Sequence, residues 1–162
     1  LEDISFNIGN HTFNYRVAAV IESNQQYLLT TTSEIDFWFL PGGRVQAGET
    51  SLEAIERELQ EELNLENQAV QLLWTVENFY TLTGETFHEI SFYYVVSLSG
   101  DTRFINEDRF WRNPDLGFGW FDLKAIKGLD LRPEFLKAKL TSVNQGFKHI
   151  IFREEEQLYV EV

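Results

Sequence analysis

The sequence predicts an α/β fold, a single domain spanning residues 1–162 in which a mixed β-sheet carries helices on both faces. Three observations predict it. Strand-like runs come first, one amphipathic helix lies among them, and a second helix comes near the end. The 162 residues suffice for one core, and with no cysteine that core is built without disulfides or thiolate-bound zinc. Hydrophobic residues at 43% and charged residues at 24% are globular values that exclude disordered, collagen-like and coiled-coil chains.

The elements follow in order. Residues 4–8, 12–21 and 27–31 read as strands parted by the turn formers Gly9-Asn10 and Ser23-Asn24. Val17 to Ile21 is apolar on both faces, as in a central strand. Asp36 to Leu40 is a further short apolar-aromatic run, stopped by Pro41-Gly42-Gly43. Residues 51–63 form the clearest helix, with Thr50 and Glu53 at capping-box spacing and Leu52, Ile55, Leu59 and Leu63 on one core-facing stripe. Residues 69–82 and 86–98 read as an aromatic hairpin turning at Thr83-Gly84-Glu85. Residues 99–117 read as a long surface loop, 119–123 as a strand, 133–143 as a helix with Pro133 in its first turn, and 148–152 as a last strand. Glu154-Glu155-Glu156 reads as a solvated run in a C-terminal tail, 153–162, where Leu158, Val160 and Val162 alternate as an edge strand would in a homodimer.

Thirteen basic against 26 acidic residues give a net charge of −13, which disfavours nonspecific nucleic-acid binding and anionic membranes. A polyanionic substrate therefore needs a cation to bring it in. No apolar run reaches the roughly 18 residues of a membrane span, and the first residues lack the basic flank and apolar stretch of a signal peptide. A cytoplasmic location is the expectation. Met is absent even at position 1, as in a trimmed product or one whose modified residues are missing from the sequence.

At about 100° per residue, Glu58, Glu61 and Glu62 share one flank of the first helix at the border of its apolar stripe. Local stability argues against that placement. Glu58 and Glu62 repel at i,i+4, and Glu61 and Glu62 occupy the last turn, where the helix dipole disfavours anions. A hard divalent cation such as Mg²⁺ or Mn²⁺ reverses the argument, because it takes a few carboxylates and completes its shell with water and phosphate oxygens. The alternative is a solvated acidic face. The preceding loop favours a site: Gly42, Gly43 and Gly48 permit close backbone approach, with Glu49 just before the helix and Arg57 two turns along it.

Gly43, five residues, Glu49, seven residues, then Arg57-Glu58-Leu59-Gln60-Glu61-Glu62-Leu63-Asn64-Leu65 resembles the Nudix box, G-x5-E-x7-R-E-U-x-E-E-x-G-U with U aliphatic. The one departure is Asn64 in place of Gly, at a helix end where Asn tolerates the left-handed conformation. The resemblance, carried by residues 43–65, implies a Nudix-like α/β/α sandwich with a mixed β-sheet. It implies hydrolysis of a nucleoside diphosphate linked to another moiety, of the nucleotide sugar, ADP-ribose or NTP type, with Mg²⁺ or Mn²⁺ as cofactor. It casts Glu58, Glu61 and Glu62 as metal ligands with Glu58 or Glu61 a candidate base. The carbonyl of Gly42 or Gly43 completes the shell, and Glu49 with Arg57 forms an orienting ion pair. A catalytically silent nucleotide-binding module is the alternative, disfavoured because the carboxylate set is whole.

Weaker candidates lie outside the box. His88 and Glu89 face opposite sides of their strand by alternation, and Glu89 is a candidate substrate or base residue alongside Glu85, Glu107, Asp108 and Asp115. Arg103-Phe104 and Arg109 to Arg112 interleave guanidinium groups with aromatics, which suits phosphate contact and base stacking, Arg112 in particular. Arg44 stands in the box loop beside the expected phosphate position. Trp74, Phe79, Tyr80, Phe92 and Tyr93 read as core packing.

Overall fold

The computed structural model describes residues 1–99, 109–113 and 115–162, without the side chains of 112 and 113. Among these, nine strands form one mixed sheet: β1 (Ser5–Ile8), β2 (His11–Ser23), β3 (Gln26–Thr32), β4 (Ala69–Leu82), β5 (Glu85–Ser97), β6 (Arg109–Asn113), β7 (Leu116–Asp122), β8 (Lys148–Arg153) and β9 (Leu158–Glu161). Their order is β6-β7-β3-β2-β5-β4-β8-β9, with β1 paired to β2. β2 with β5 and β4 with β8 are parallel, and the remaining pairs are antiparallel.

Alternation along β2 divides the core in two, as its doubly apolar run predicts. Val17, Ala19 and Ile21 pack with Ala54, Ile55, Leu59 and Leu63 of α1 (Ser51–Leu63) on one face. Val20 packs on the other with Trp74, Ile126 of α2 (Leu123–Gly128) and Leu136 of α3 (Leu136–Lys139). Helices therefore cover both faces. α1 has the predicted ends: Thr50 Oγ1 accepts from the Glu53 N–H, Glu53 accepts in return from the Thr50 N–H, and Asn64 caps the other end at φ 54°, ψ 35°.

The feature that creates the site is a parting of β2 from β3. They share only the pairs Glu22 with Tyr27 and Ser23 with Gln26 next to their turn, after which the loop from Phe39 to Val45 fills the gap. The Ala19 N–H donates to the Pro41 carbonyl at 2.8 Å, the Val17 N–H to the Gly43 carbonyl at 2.9 Å, and the Thr30 N–H to the Phe39 carbonyl at 2.8 Å. Both strands thus satisfy their backbone groups on the glycine loop instead of on each other. The apolar run before Pro41 contributes only the isolated bridges at Trp38 and Phe39.

Several expectations need correction. Leu52 lies on the predicted stripe of α1 yet is 46% exposed, because it stands in the first turn where no core side chain covers it. The expected surface loop at 99–117 contains β6, held by antiparallel pairing with β7 and by Phe110 stacked on Phe118 at 5.1 Å. The expected helix over 133–143 is broken. Pro133 precedes it, and α3 passes into a 3-10 segment, Leu140–Gln145, with Ser142 at non-helical dihedrals. There the hydroxyls of Thr141 and Ser142 bond back to the carbonyls of Ala138 and Lys139, competing with the helical ladder. Glu154-Glu155-Glu156 belongs to a turn, and residues beyond it return as β9 on β8. The short helix α2 was not foreseen; Asp122 caps it by accepting from the Ala125 N–H at 2.7 Å.

Candidate active site

Gly42 and Gly43 are required by what surrounds them. Gly42 has φ 141°, and a Cβ there would lie 2.2 Å from the Val17 carbonyl oxygen. At Gly43 a Cβ would lie 2.2 Å from Glu58 Oε1. The loop is thereby pressed against the carboxylate flank of α1, and the Gly42 N–H donates to Glu62 Oε2 at 3.1 Å.

Arg57 organises the remaining carboxylates. Its Nε donates to Glu49 Oε1 at 2.6 Å and its Nη2 to Glu49 Oε2 at 3.1 Å, a bidentate pair, while Nη2 also reaches the Arg44 carbonyl at 3.0 Å. Nη1 reaches Glu58 Oε1 at 2.6 Å and Glu61 Oε2 at 3.1 Å. Glu49 accepts in addition from the Gln46 N–H, so the pair ties the helix to its loop. The hydrogen bonds from Arg57 hold the Glu49 carboxyl below the usual carboxylate range.

Glu58 and Glu62 behave differently from Glu49. Burial pushes the Glu58 carboxyl up, and burial together with the neighbouring Glu58 charge pushes Glu62 up to about 7. Glu58 is held on Arg57 and Glu62 on the Gly42 N–H, yet burial still disfavours the ionised form of both, and a cation placed between them would relieve this. The donor set fits a hard divalent ion in this respect, although among the described residues no three acidic or histidine groups converge on one point. Glu61 turns outward, 58% exposed, onto Arg57.

Beside this cluster opens a cavity of about 270 Å³. Arg16 links the two: it lines the cavity, its Nε lies 3.9 Å from Glu89 Oε2, and its charge acts on both Glu58 and Glu62. Glu89 is buried and accepts from Ser91 Oγ at 2.9 Å and from the Tyr80 hydroxyl at 3.3 Å. His88 faces the opposite side, stacked on Phe79 at 4.4 Å, as alternation predicts.

The other candidates separate clearly. Arg44 donates from Nε to Asn14 Oδ1 at 3.2 Å and pairs with Asp3, and its side chain does not line the cavity. Glu85 is exposed at the β4–β5 turn, and Asp115 accepts from Ser33 Oγ near the β6–β7 turn. Arg109 lies over the rings of Trp38 and Phe121. Arg103, Phe104, Glu107, Asp108 and the side chain of Arg112 lie outside the described residues. Trp74 and Tyr93 are core as expected, Tyr93 also reaching the cavity wall, but Tyr80 lines the cavity outside the core, a correction that follows from its facing the α3 side where β2 and β3 part. Arg16 and Asn78 were missed. An arginine embedded in the apolar run of β2 was the available signal for the first; nothing in the sequence marked the second.

Comparison with known proteins places this arrangement in context. The model of the NUDIX domain family matches residues 12–141. The Caenorhabditis elegans protein named "Putative nudix hydrolase 1" is 31% identical over 124 residues, covering 70% of this chain and 30% of that protein. The Bacillus subtilis (strain 168) protein named "Putative 8-oxo-dGTP diphosphatase" is 46% identical over 43 residues, 26% of this chain and 29% of that one. The matched parts thus span less than a third of these curated relatives. The crystal structure of the MutT protein from Bacillus halodurans superposes with TM-score 0.68 over 91% of this chain and 97% of that one, at 17% identity, which shows a shared fold.

Proposed function

The chain belongs to the NUDIX domain family, and on that footing we propose that it is a pyrophosphohydrolase that uses Mg²⁺ or Mn²⁺ to cleave a nucleoside diphosphate linked to another moiety. The observation that carries the proposal is the inward pair Glu58 and Glu62, both raised by burial and Glu62 also by the Glu58 charge, against a glycine loop whose Gly42 leaves no room for a side chain. Ionising two half-buried carboxylates side by side is costly, and a bound cation would offset that cost.

In this reading Glu58 and Glu62, with Glu61 released from Arg57, hold the metal, and the carbonyl of Gly42 or Gly43 completes the set. The bound ion supplies charge neutralisation of the diphosphate and activation of water. Arg57 and Glu49 orient the helix against its loop. Arg16, between the carboxylates and the cavity, neutralises the phosphate chain as it enters. Glu89 contacts the substrate inside the cavity. Arg44 and Arg112 are assigned to the outer phosphates, and Glu58 or Glu61 to the removal of a proton from the attacking water.

Substrates of the nucleotide sugar, ADP-ribose and NTP types all contain the linkage, and the name of the Bacillus subtilis relative favours the NTP type. No helix among the described residues is long and apolar enough to cross a membrane, and we assign the activity to the cytoplasm. Exposed Leu158, Val160 and Val162 at the sheet edge support pairing with a second copy. The test is phosphate release from a panel of diphosphates with Mg²⁺ and with Mn²⁺, and product analysis to identify the phosphorus attacked. Absence of turnover on every member would remove the proposal.

A further inference from the structure

On the face of the sheet opposite the cavity, side chains from five strands form a second hollow of about 300 Å³, lined by Ile8, His11, Phe13, Phe79, His88 and Arg153. The register of the sheet gathers them. Ile8 pairs with His11, Phe13 with His88, His88 with Phe79, and Phe79 with Arg153, and residues so paired point to one face. The rings form a row in which Phe13 meets His88 edge-on at 5.8 Å, His88 stacks on Phe79 at 4.4 Å, and the Arg153 guanidinium lies 4.1 Å over Phe79. None of the six belongs to the core packed beneath α1.

The hollow carries positive charge in a chain whose net charge is −13, and no carboxylate lines it. Arg16, Arg44, Arg57 and Arg132 each pair with a carboxylate, whereas among the described residues the side chains of His11, His88 and Arg153 make no hydrogen bond or ion pair. Neighbouring acids are engaged elsewhere. Glu77, on the same side of β4 as Phe79, is bonded to His149 Nε2 at 2.9 Å, and Glu154 accepts from the Thr81 N–H at 3.0 Å. Glu155 and Glu156 line an adjoining hollow and not this one. Arg153 thus retains five N–H donors over an aromatic plate, and each histidine ring retains an N–H donor in either protonation state.

We propose that this hollow is a binding site for a flat aromatic anion, one ring system bearing a carboxylate or phosphate group. Arg153 takes the anionic oxygens as a bidentate pair, and His11 and His88 add N–H donors beside it. The ring of the ligand lies against Phe13 and Ile8, the latter 61% exposed and gaining cover from the contact. At about 300 Å³ the space stands at the lower end of the usual range for ligand pockets, so it takes one ring system and not two. A neutral aromatic molecule leaves the guanidinium unused, and an inorganic anion leaves the apolar wall wet. The site does not depend on the proposed hydrolysis, because its residues face away from the cavity and none belongs to the carboxylate flank of α1.

The test uses the metal-free protein at neutral pH with benzoate, phenyl phosphate, benzamide and inorganic phosphate as probes. Binding is followed by proton–nitrogen correlation NMR up to millimolar concentration, which locates each probe as well as measuring it. Benzoate and phenyl phosphate are expected to move the signals of Phe13, Phe79, His88 and Arg153. Both should bind about tenfold or more tighter than benzamide, which has the ring without the charge, and than inorganic phosphate, which has the charge without the ring. Arg153→Gln and His11→Gln replace exposed side chains, so the fold should hold. The first is expected to weaken both aromatic anions about tenfold or more and the second by less, with benzamide unchanged in each. Shifts centred on Arg16, Tyr80 and Glu89 in the cavity, benzamide or inorganic phosphate binding as tightly as the aromatic anions, affinities unchanged in Arg153→Gln, or no binding of either aromatic anion overturns the inference.

Discussion

Gly43 and Glu58 are in such close contact that a Cβ at position 43 would lie 2.2 Å from Glu58 Oε1. The neighbouring glycine meets backbone instead, the Val17 carbonyl oxygen, and holds φ 141°. The two alanine variants should therefore fail differently. Gly43→Ala pushes away the end of a flexible side chain, so the fold should hold while turnover at low metal falls about tenfold or more. Gly42→Ala strains a backbone that cannot move without breaking the β2 contacts, and should cost about 2 kcal/mol or more of stability. Thermal melts and kinetics on both variants check the contrast.

Leu59→Ala separates packing from chemistry. Leu59 is 3% exposed in the core between α1 and β2, where truncation to alanine costs about 2 to 5 kcal/mol. Turnover per folded molecule should stay close to wild type, as measured by activity against folded fraction across a urea titration.

What the sequence disclosed, and what it withheld, follows from how local each determinant is. The caps of α1 and the left-handed Asn64 are set by residues a few positions apart, and the spacing of Gly43, Glu49, Arg57 and the glutamates was legible for the same reason. Alternation alone placed His88 and Glu89 on opposite faces. The parting of β2 from β3 was not legible, because it depends on the loop after Phe39 supplying the missing backbone partners. Arg16, Tyr80 and Asn78 owe their roles to that gap, so a strand pattern could assign their face but not the cavity it opens onto. β6 was hidden because its partner, β7, does half the work of defining it.

Arg16 links the carboxylates to the cavity, and its removal should be felt in substrate binding. Arg16→Met should raise KM by about tenfold, since charge-assisted hydrogen bonds contribute roughly 1.5 to 3 kcal/mol, with a smaller effect on kcat. Arg16→Lys should recover part of the loss. Steady-state kinetics on both variants, at saturating metal, measures the split; a KM unchanged in Arg16→Met would remove Arg16 from the phosphate path.

Without metal, stability should fall as pH rises. The Glu62 carboxyl is pushed from 4.5 up to about 7, so the folded protein holds its proton where the unfolded chain has released it. Its contribution is fully present below pH 4.5 and is lost as pH rises through about 7, a loss of at most about 3 kcal/mol at 1.36 kcal/mol per unit. Urea denaturation in EDTA between these limits should show the slope, and Glu62→Gln should flatten it. Millimolar Mg²⁺ or Mn²⁺ should restore stability near pH 7, since the ion binds only the folded state.

In the proposed function α1 holds a divalent cation through Glu58 and Glu62, and that ion drives diphosphate hydrolysis. Turnover of wild type and Glu62→Gln, measured in EDTA and then across a Mg²⁺ titration, tests it most directly. The expected result is no turnover in EDTA, recovery with Mg²⁺, and a folded Glu62→Gln protein slower by orders of magnitude at limiting metal, because a neutral amide replaces an anionic ligand. Full turnover in EDTA, or near wild-type turnover by Glu62→Gln at limiting metal, would contradict it.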